Sequence, residues 1–345
     1  MSGLAIRRGI EIALSEINES GGILGKQLHL ITRDNSMVSA RGIDNINEFS
    51  EIKNLVAVVG GISSPVALSE IDIIHDKKIL YLDPWAAATN IVDNGKSPNY
   101  VFRLSVRDEY AGGFLLSKAL EISKQVGLLL SNDGWGRSNQ KAIAEAISKH
   151  GVTLAGEQWF DWADDALETK VDNLIDEGAG VIIYVGNTVE GAKLVKIMAG
   201  RKHQVPIISH WGVAGSDFYE LTEGLVNNID FQVLQTFSFI ENKNKNAQRV
   251  AKKYQETYQT SSPEDIVAPV GTAHAYDLIH LLAAAINKAG SFEMPRIRDA
   301  LEQLEFHDGL VRTYKPPFTP ARHDALNARD FFLARYNGRA LVKKD

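Results

Sequence analysis

At 345 residues, with 44% hydrophobic and 23% charged residues, the chain has the balance of a folded globular protein and room for two domains. Its formal charge of −6 gives no basic footprint for nucleic acid, so none is expected as a partner. The absence of cysteine excludes disulfides, thiolate metal sites and cysteine nucleophiles.

The chain opens with GLAIRRGIEIALSEINESGGILGK (3–26), an amphipathic helix with Ile6, Ile10, Ala13, Leu14 and Ile17 on one stripe. No signal-like apolar segment precedes it, which leaves a cytosolic start or a chain that begins inside a longer protein. QLHLITRD (27–34) predicts a strand and SARGIDNINEFSEI (39–52) a helix. VAVVGG (56–61) and ILYLDP (79–84) predict strands around a helix that opens at GGISSP. After NYVFRLSVRD (99–108) the rhythm restarts, with helices at 109–124, 137–150, 165–177, 189–201 and 216–222. Strands alternate with them at 126–132, 153–160, 181–187, 205–211 and 231–237. Helices at 244–259, 269–289 and 295–304 follow, then a hairpin in DFFLARYNGRALV. No apolar run approaches the roughly 20 residues of a membrane span, and His280 interrupts the longest, 278–286.

Short apolar strands alternating with amphipathic helices imply an α/β fold of parallel sheets covered on both faces, and the restart near residue 105 implies two of them. Ligands of such sheets bind beyond the carboxyl ends of the strands. That directs attention to the loops at 61–65, 83–89, 132–138, 186–188, 209–214 and 236–239, which two facing lobes would bring to one cleft.

GGISSP lacks the lysine of a P-loop and the third glycine of a dinucleotide fingerprint. What remains is a helix start with Ser63, Ser64 and Pro65, where free N–H groups and a partial positive charge suit a carboxylate. The alternative is that a serine merely caps the helix. No G-x-S-x-G elbow and no H-E-x-x-H pairing is present, so neither catalysis nor a metal or cofactor is expected. His210, at a strand end in ISHWGVAG, is the best single polar candidate, and a hydrolase using it is the enzymatic alternative. Trp85, Trp135 and Trp211 each fall in a strand-end loop, where pockets favour aromatic walls, whereas Trp159 and Trp162 read as core. Arg107, beside Arg103 and Asp108, is either a carboxylate clamp or a member of a salt bridge between lobes.

In register, GIEIALSEINESGGILGKQLHLITRD, VVGGISSPVAL, ILYLDPWAAAT, VFRLSVRD, NDGWGRS and AYDLIHLLAAAINKAGSFEMPRIRDALE resemble the type I periplasmic binding proteins, in the leucine/isoleucine/valine-binding branch of ABC importers. The resemblance implies two Rossmann-like lobes joined by a three-crossing hinge, with 1–104 plus 242–318 in one and 105–241 plus 319–345 in the other. It also implies a signal peptide and a strand before the first helix. Neither stands in this sequence, so an exported protein trimmed at its start is expected, in the periplasm or otherwise outside the cytoplasm. The expected partners are a small-molecule ligand and an ABC permease, or a signalling module if the same fold serves as a sensor domain, and the expected state is a monomer.

The family's carboxylate-binding serine falls on Ser64. The loop from Trp85 through Ala86 to Thr89 follows it, with Ala87 where a threonine or serine normally meets the ligand's amino group. The tyrosine that packs on the ligand corresponds to Trp135, a second pocket tyrosine to Asn187, and the acid that accepts the ammonium to Trp211. A desolvated ammonium without a carboxylate costs several kcal/mol. A standard branched-chain amino acid is therefore not the expected ligand. A carboxylate or polar compound with a flat or apolar body, between Trp135 and Trp211, fits better.

Overall fold

The computed structural model describes residues 1–215 and 217–344. Helix α1 (Ser2–Glu19) buries Ile6, Ile10, Ala13 and Ile17 of the predicted stripe, and α2 (Ser39–Ser50) follows. The stretch 27–34 forms no strand, contrary to the sequence pattern. Strand groups need a neighbouring backbone to bond. Leu28 instead bonds the Asn18 side chain through both its N–H and its C=O, and Ile31 remains 49% exposed. β1 (Val58–Val59), α3 (Ser64–Asp76), β2 (Tyr81–Asp83) and β3 (Val101–Arg103) then build a three-stranded parallel sheet in the order β1-β2-β3.

The second run comprises α4 (Asp108–Leu120), β4 (Val126–Ser131), α5 (Gly134–His150), β5 (Gly156–Phe160), α6 (Leu167–Asp176) and β6 (Val181–Val185), then α7 (Thr188–Ala199), β7 (Ile207–Ser209), α8 (Phe218–Leu221) and β8 (Phe231–Gln235). The expected start of the 216–222 helix, Ser216, lies outside the described residues. Next come α9 (Lys245–Tyr258), α10 (Pro269–Ala289), α11 (Met294–Glu302) and a small hairpin of β9 (His307–Asp308) and β10 (Thr313–Tyr314), too short for the sequence pattern to betray. β11 (Phe332–Asn337) and β12 (Ala340–Lys343) close the chain as the predicted hairpin. β11 adds antiparallel to β8, extending a seven-stranded sheet ordered β12-β11-β8-β7-β6-β4-β5.

The chain divides into two compact units. The first is Ser2–Val106 with Glu241–Leu326, and the second is Arg107–Ile240 with Asn327–Asp345. Each has its own core. Ala67, Ile74, Tyr81 and Val101 belong to that of the first, and Leu129, Ile182, Tyr184, Ile207 and Val233 to that of the second. The last boundary falls at 326/327 rather than 318/319. The segment 319–326 stays with the first unit because it pairs with the end of β3: Arg103 N–H donates to His323 O (2.8 Å) and Ala325 N–H to Arg103 O (2.9 Å).

Trp162 is a correction: it is 45% exposed, edge-on to Phe160. Trp159 lies on β5, at the edge of the seven-stranded sheet, where one side lacks a neighbouring strand.

Candidate functional site

In the first unit the site grows from the turn between β1 and α3. Gly61 adopts φ +75°, and a side chain there would fall 2.4 Å from Asp83 Oδ1, so only glycine lets this turn close on the end of β2. The turn delivers Ser63 in an extended conformation and Ser64 as the first helical residue. Ser63 does not cap α3 with its side chain, which removes the capping alternative for that residue. Ser64 Oγ accepts the N–H groups of Ala87 and Ala88, each at 3.3 Å. With two bonds accepted, the hydroxyl retains its proton for donation, and the first N–H groups of α3 have no intrahelical partner.

The loop at 85–88 is more occupied than the sequence suggested. Asp83 Oδ1 accepts from Trp85 N (2.9 Å) and Ala86 N (2.8 Å), so the neighbouring amides are not bare. Burial pushes the Asp83 carboxyl up to about 8, against the opposing pull of Arg103 and of those two amides. The Trp85 indole is 6% exposed and packs on Gly271 of α10. Ala86 and Ala87 are buried, and Thr89 opens a short 3-10 turn.

In the second unit, Asp133 caps α5 by accepting from Trp135 N (2.8 Å) and Gly136 N (3.0 Å), which fixes Trp135 at the strand end. Trp135 Nε1 donates to Asp108 Oδ1 at 3.3 Å, and His210 Nε2 donates to the same oxygen at 3.1 Å. His210 Nδ1 accepts from Trp211 N, which sets the ring proton on Nε2. The His210 and Trp135 rings meet edge to face at 5.0 Å. Asp108 is fully buried, and its Oδ2 has no partner among the described residues. Asn187 joins the cluster: a side chain at Gly212 would sit 2.4 Å from Gly186 O, 2.7 Å from the Trp135 ring and 3.0 Å from Asn187 Oδ1.

Trp135, Asn187, His210 and Trp211 are thus gathered at one end of the sheet. Trp211 keeps only 1% of its surface and acts as packing behind His210. Arg107 pairs with Glu109 (2.8 Å) and lies over the Tyr110 ring. The residue that sequence reasoning passed over is Asp108. In the sequence it stands out only as the neighbour of Arg107, and no spacing rule links it to His210, 102 positions away.

A separate cavity of about 670 Å³ in the first unit, lined by Glu16, Arg249, Tyr276, His280 and His307 among others, contains none of the expected site residues. Among the described residues no cluster of three His, Cys, Asp or Glu could hold a metal, and no helix is long and apolar enough to cross a membrane.

The chain belongs to the periplasmic binding proteins, type I, in the leucine/isoleucine/valine-binding branch, the family model matching residues 1–340. It is 24% identical over 345 residues to the Leu/Ile/Val-binding protein homolog 3 of Brucella melitensis, covering 99% of this chain and 88% of that protein. Its fold matches the branched-chain amino acid transporter substrate-binding protein LivJ of Streptococcus pneumoniae, solved with isoleucine. The TM-score is 0.81 at 21% identity, over 99% of this chain and 95% of that one. It also matches an ABC transporter solute-binding protein of R. palustris, solved with 4-hydroxybenzoate, with a TM-score of 0.82 at 15% identity over 100% and 91%. Membership makes the chain an ABC-transporter substrate-binding protein, like its relatives, which are solute-binding proteins and not enzymes, and implies a small-molecule ligand, a permease partner and an extracytoplasmic location.

Proposed function

We propose that the chain captures a small carboxylate-bearing ligand with a flat or apolar body, of the aromatic-acid class rather than a standard branched-chain amino acid, for an ABC importer. The observation that carries this reading is Ser64, whose hydroxyl is oriented by two loop amides at an uncapped helix start. A ligand carboxylate takes the Ser64 proton and the first amides of α3, favoured by the helix dipole. Ser63, Ala86, Ala87 and Thr89 shape the surroundings, with Trp85 and Trp211 as supporting walls. Trp135 supplies the aromatic face, with Asn187 and His210 beside it.

Asp108 adds an acceptor that the sequence did not point to. Its Oδ1 already accepts two donors, which leaves Oδ2 for the ligand. Such an oxygen accepts from a ligand hydroxyl or from an ammonium, so Asp108 alone does not separate a hydroxylated acid from an amino acid. The fold neighbours carry ligands of both classes, isoleucine and 4-hydroxybenzoate.

Native mass spectrometry of gently purified protein, followed by calorimetry with 4-hydroxybenzoate, other aromatic acids and leucine, tests the reading. Tight leucine binding with no response to aromatic acids refutes it.

A further inference from the structure

We infer that Arg103 is the positioning residue that holds the 85–88 loop in the conformation Ser64 requires. Arg103 is fully buried at the end of β3. Its Nη1 donates to both Ala86 O (3.3 Å) and Ala88 O (2.8 Å), the two carbonyls that flank Ala87, while Nε donates to Asp324 Oδ1 (2.6 Å). From the other side, Asp83 holds the Trp85 and Ala86 amides, Ser105 Oγ donates to Trp85 O (2.7 Å), and Ser64 Oγ holds the Ala87 and Ala88 amides. The loop is thus fixed through both its carbonyls and its amides, and Arg103 provides a charged contact to two of the carbonyls.

The fork is what matters. A guanidinium spreads its donors in a plane and can span two carbonyls and a carboxylate at once, which an ammonium on a flexible stem cannot. Arg103 also joins two segments that lead out of the first unit. It stands three residues before the boundary at 106/107, and its backbone and side chain grip His323, Asp324 and Ala325 just before the boundary at 326/327. Anything that shifts the 85–88 loop therefore pulls on Arg103 and, through Asp324, on the last of these segments. The consequence for affinity rests on Ser64 being the ligand anchor. The positioning role itself does not.

The test is hydrogen exchange on the ligand-free full chain, comparing wild type with Arg103→Lys. The Trp85–Ala88 amides are expected to exchange about tenfold to a hundredfold faster, the range that corresponds to losing a hydrogen bond to a charged group. The amides of β4 and β6 should keep their rates. A uniform increase across both units, or an unchanged loop, overturns the proposal. Should Arg103→Lys fail to fold, Asp324→Asn keeps an acceptor for Nε but removes its charge, and a smaller acceleration confined to the same loop is expected. No change there overturns the proposal as well. Calorimetry with 4-hydroxybenzoate on the same variants separates the two ideas. Wild type that binds no acid probe removes the ligand reading alone, whereas tight binding retained in a variant with a loosened loop removes the link from Arg103 to affinity.

Discussion

His210 Nε2 donates to Asp108 Oδ1 at 3.1 Å, with both side chains fully removed from solvent. Asp108→Asn preserves this pair, since the amide oxygen accepts from His210 and Trp135 while the amide nitrogen replaces the unpartnered Oδ2. Stability should change little. Ligand affinity should fall by about tenfold or more, because an acceptor for the ligand has become a donor. Asp108→Ala should also lower the melting temperature, since it strands two buried donors at about 1–3 kcal/mol each. Calorimetry and thermal melting on both variants separate the two effects, and an Asn variant that binds as tightly as wild type removes Asp108 from the site.

Ser64→Ala takes away the acceptor of two amides and the proton offered to a carboxylate. The expected loss of binding is about 1 kcal/mol for a neutral partner and up to about 3 for an ionised one. Ser63→Ala, at a residue with no side-chain cap bond to α3, should have a smaller effect on affinity. Equal effects from the two substitutions, measured by titration calorimetry, would contradict the assignment of Ser64 as the anchor.

Gly212→Ala tests whether the residues at the ends of β6 and β7 form one unit of structure. The new methyl group meets a backbone carbonyl at 2.4 Å and the Trp135 ring at 2.7 Å. Overpacking of this kind costs about 1–3 kcal/mol. The expected result is a lowered melting temperature together with weakened ligand binding, as Trp135 is displaced. Normal affinity with only a stability loss would place Trp135 away from the ligand.

The alternation of strands and helices, and the restart near residue 105, were legible because buried parallel strands read as apolar runs such as VIIYV, every residue of which is buried. The placement of Ser64 and Trp135 in the turns that follow β1 and β4 was legible because strand-end loops follow directly from that pattern. Three things were not. The strand at 27–34 failed because strand formation depends on a neighbour that local pattern cannot supply. Asp108 was hidden because its partner His210 is distant in sequence. The occupied state of the Trp85 and Ala86 amides was hidden because it depends on the rotamer of Asp83. Local propensity fixes elements, whereas polar satisfaction is settled only in three dimensions.

Asp277 offers a pH signature in the first unit, independent of any ligand. Burial raises its carboxyl to about 6, although Leu310 N, Val311 N and Tyr314 OH all donate to it and pull the other way. A carboxyl raised on folding binds its proton more tightly in the folded state. Its contribution is therefore full below about pH 4, the unfolded value, and is lost as the pH rises towards and through about 6. Glu16 acts in the opposite direction. Burial pushes it up, but bonds from His280, Tyr276 and Arg249 prevail and hold it at about 2, so its contribution is present above the ordinary Glu range and lost as the pH falls towards 2. In melting curves from pH 4 to pH 7, Asp277→Asn should remove part of the downward slope with rising pH. It should also lower stability at every pH, since the amide nitrogen must face either the Leu310 donor at Oδ1 or the Val311 and Tyr314 donors at Oδ2. A variant whose slope matches wild type over that window would mean that Asp277 does not titrate there.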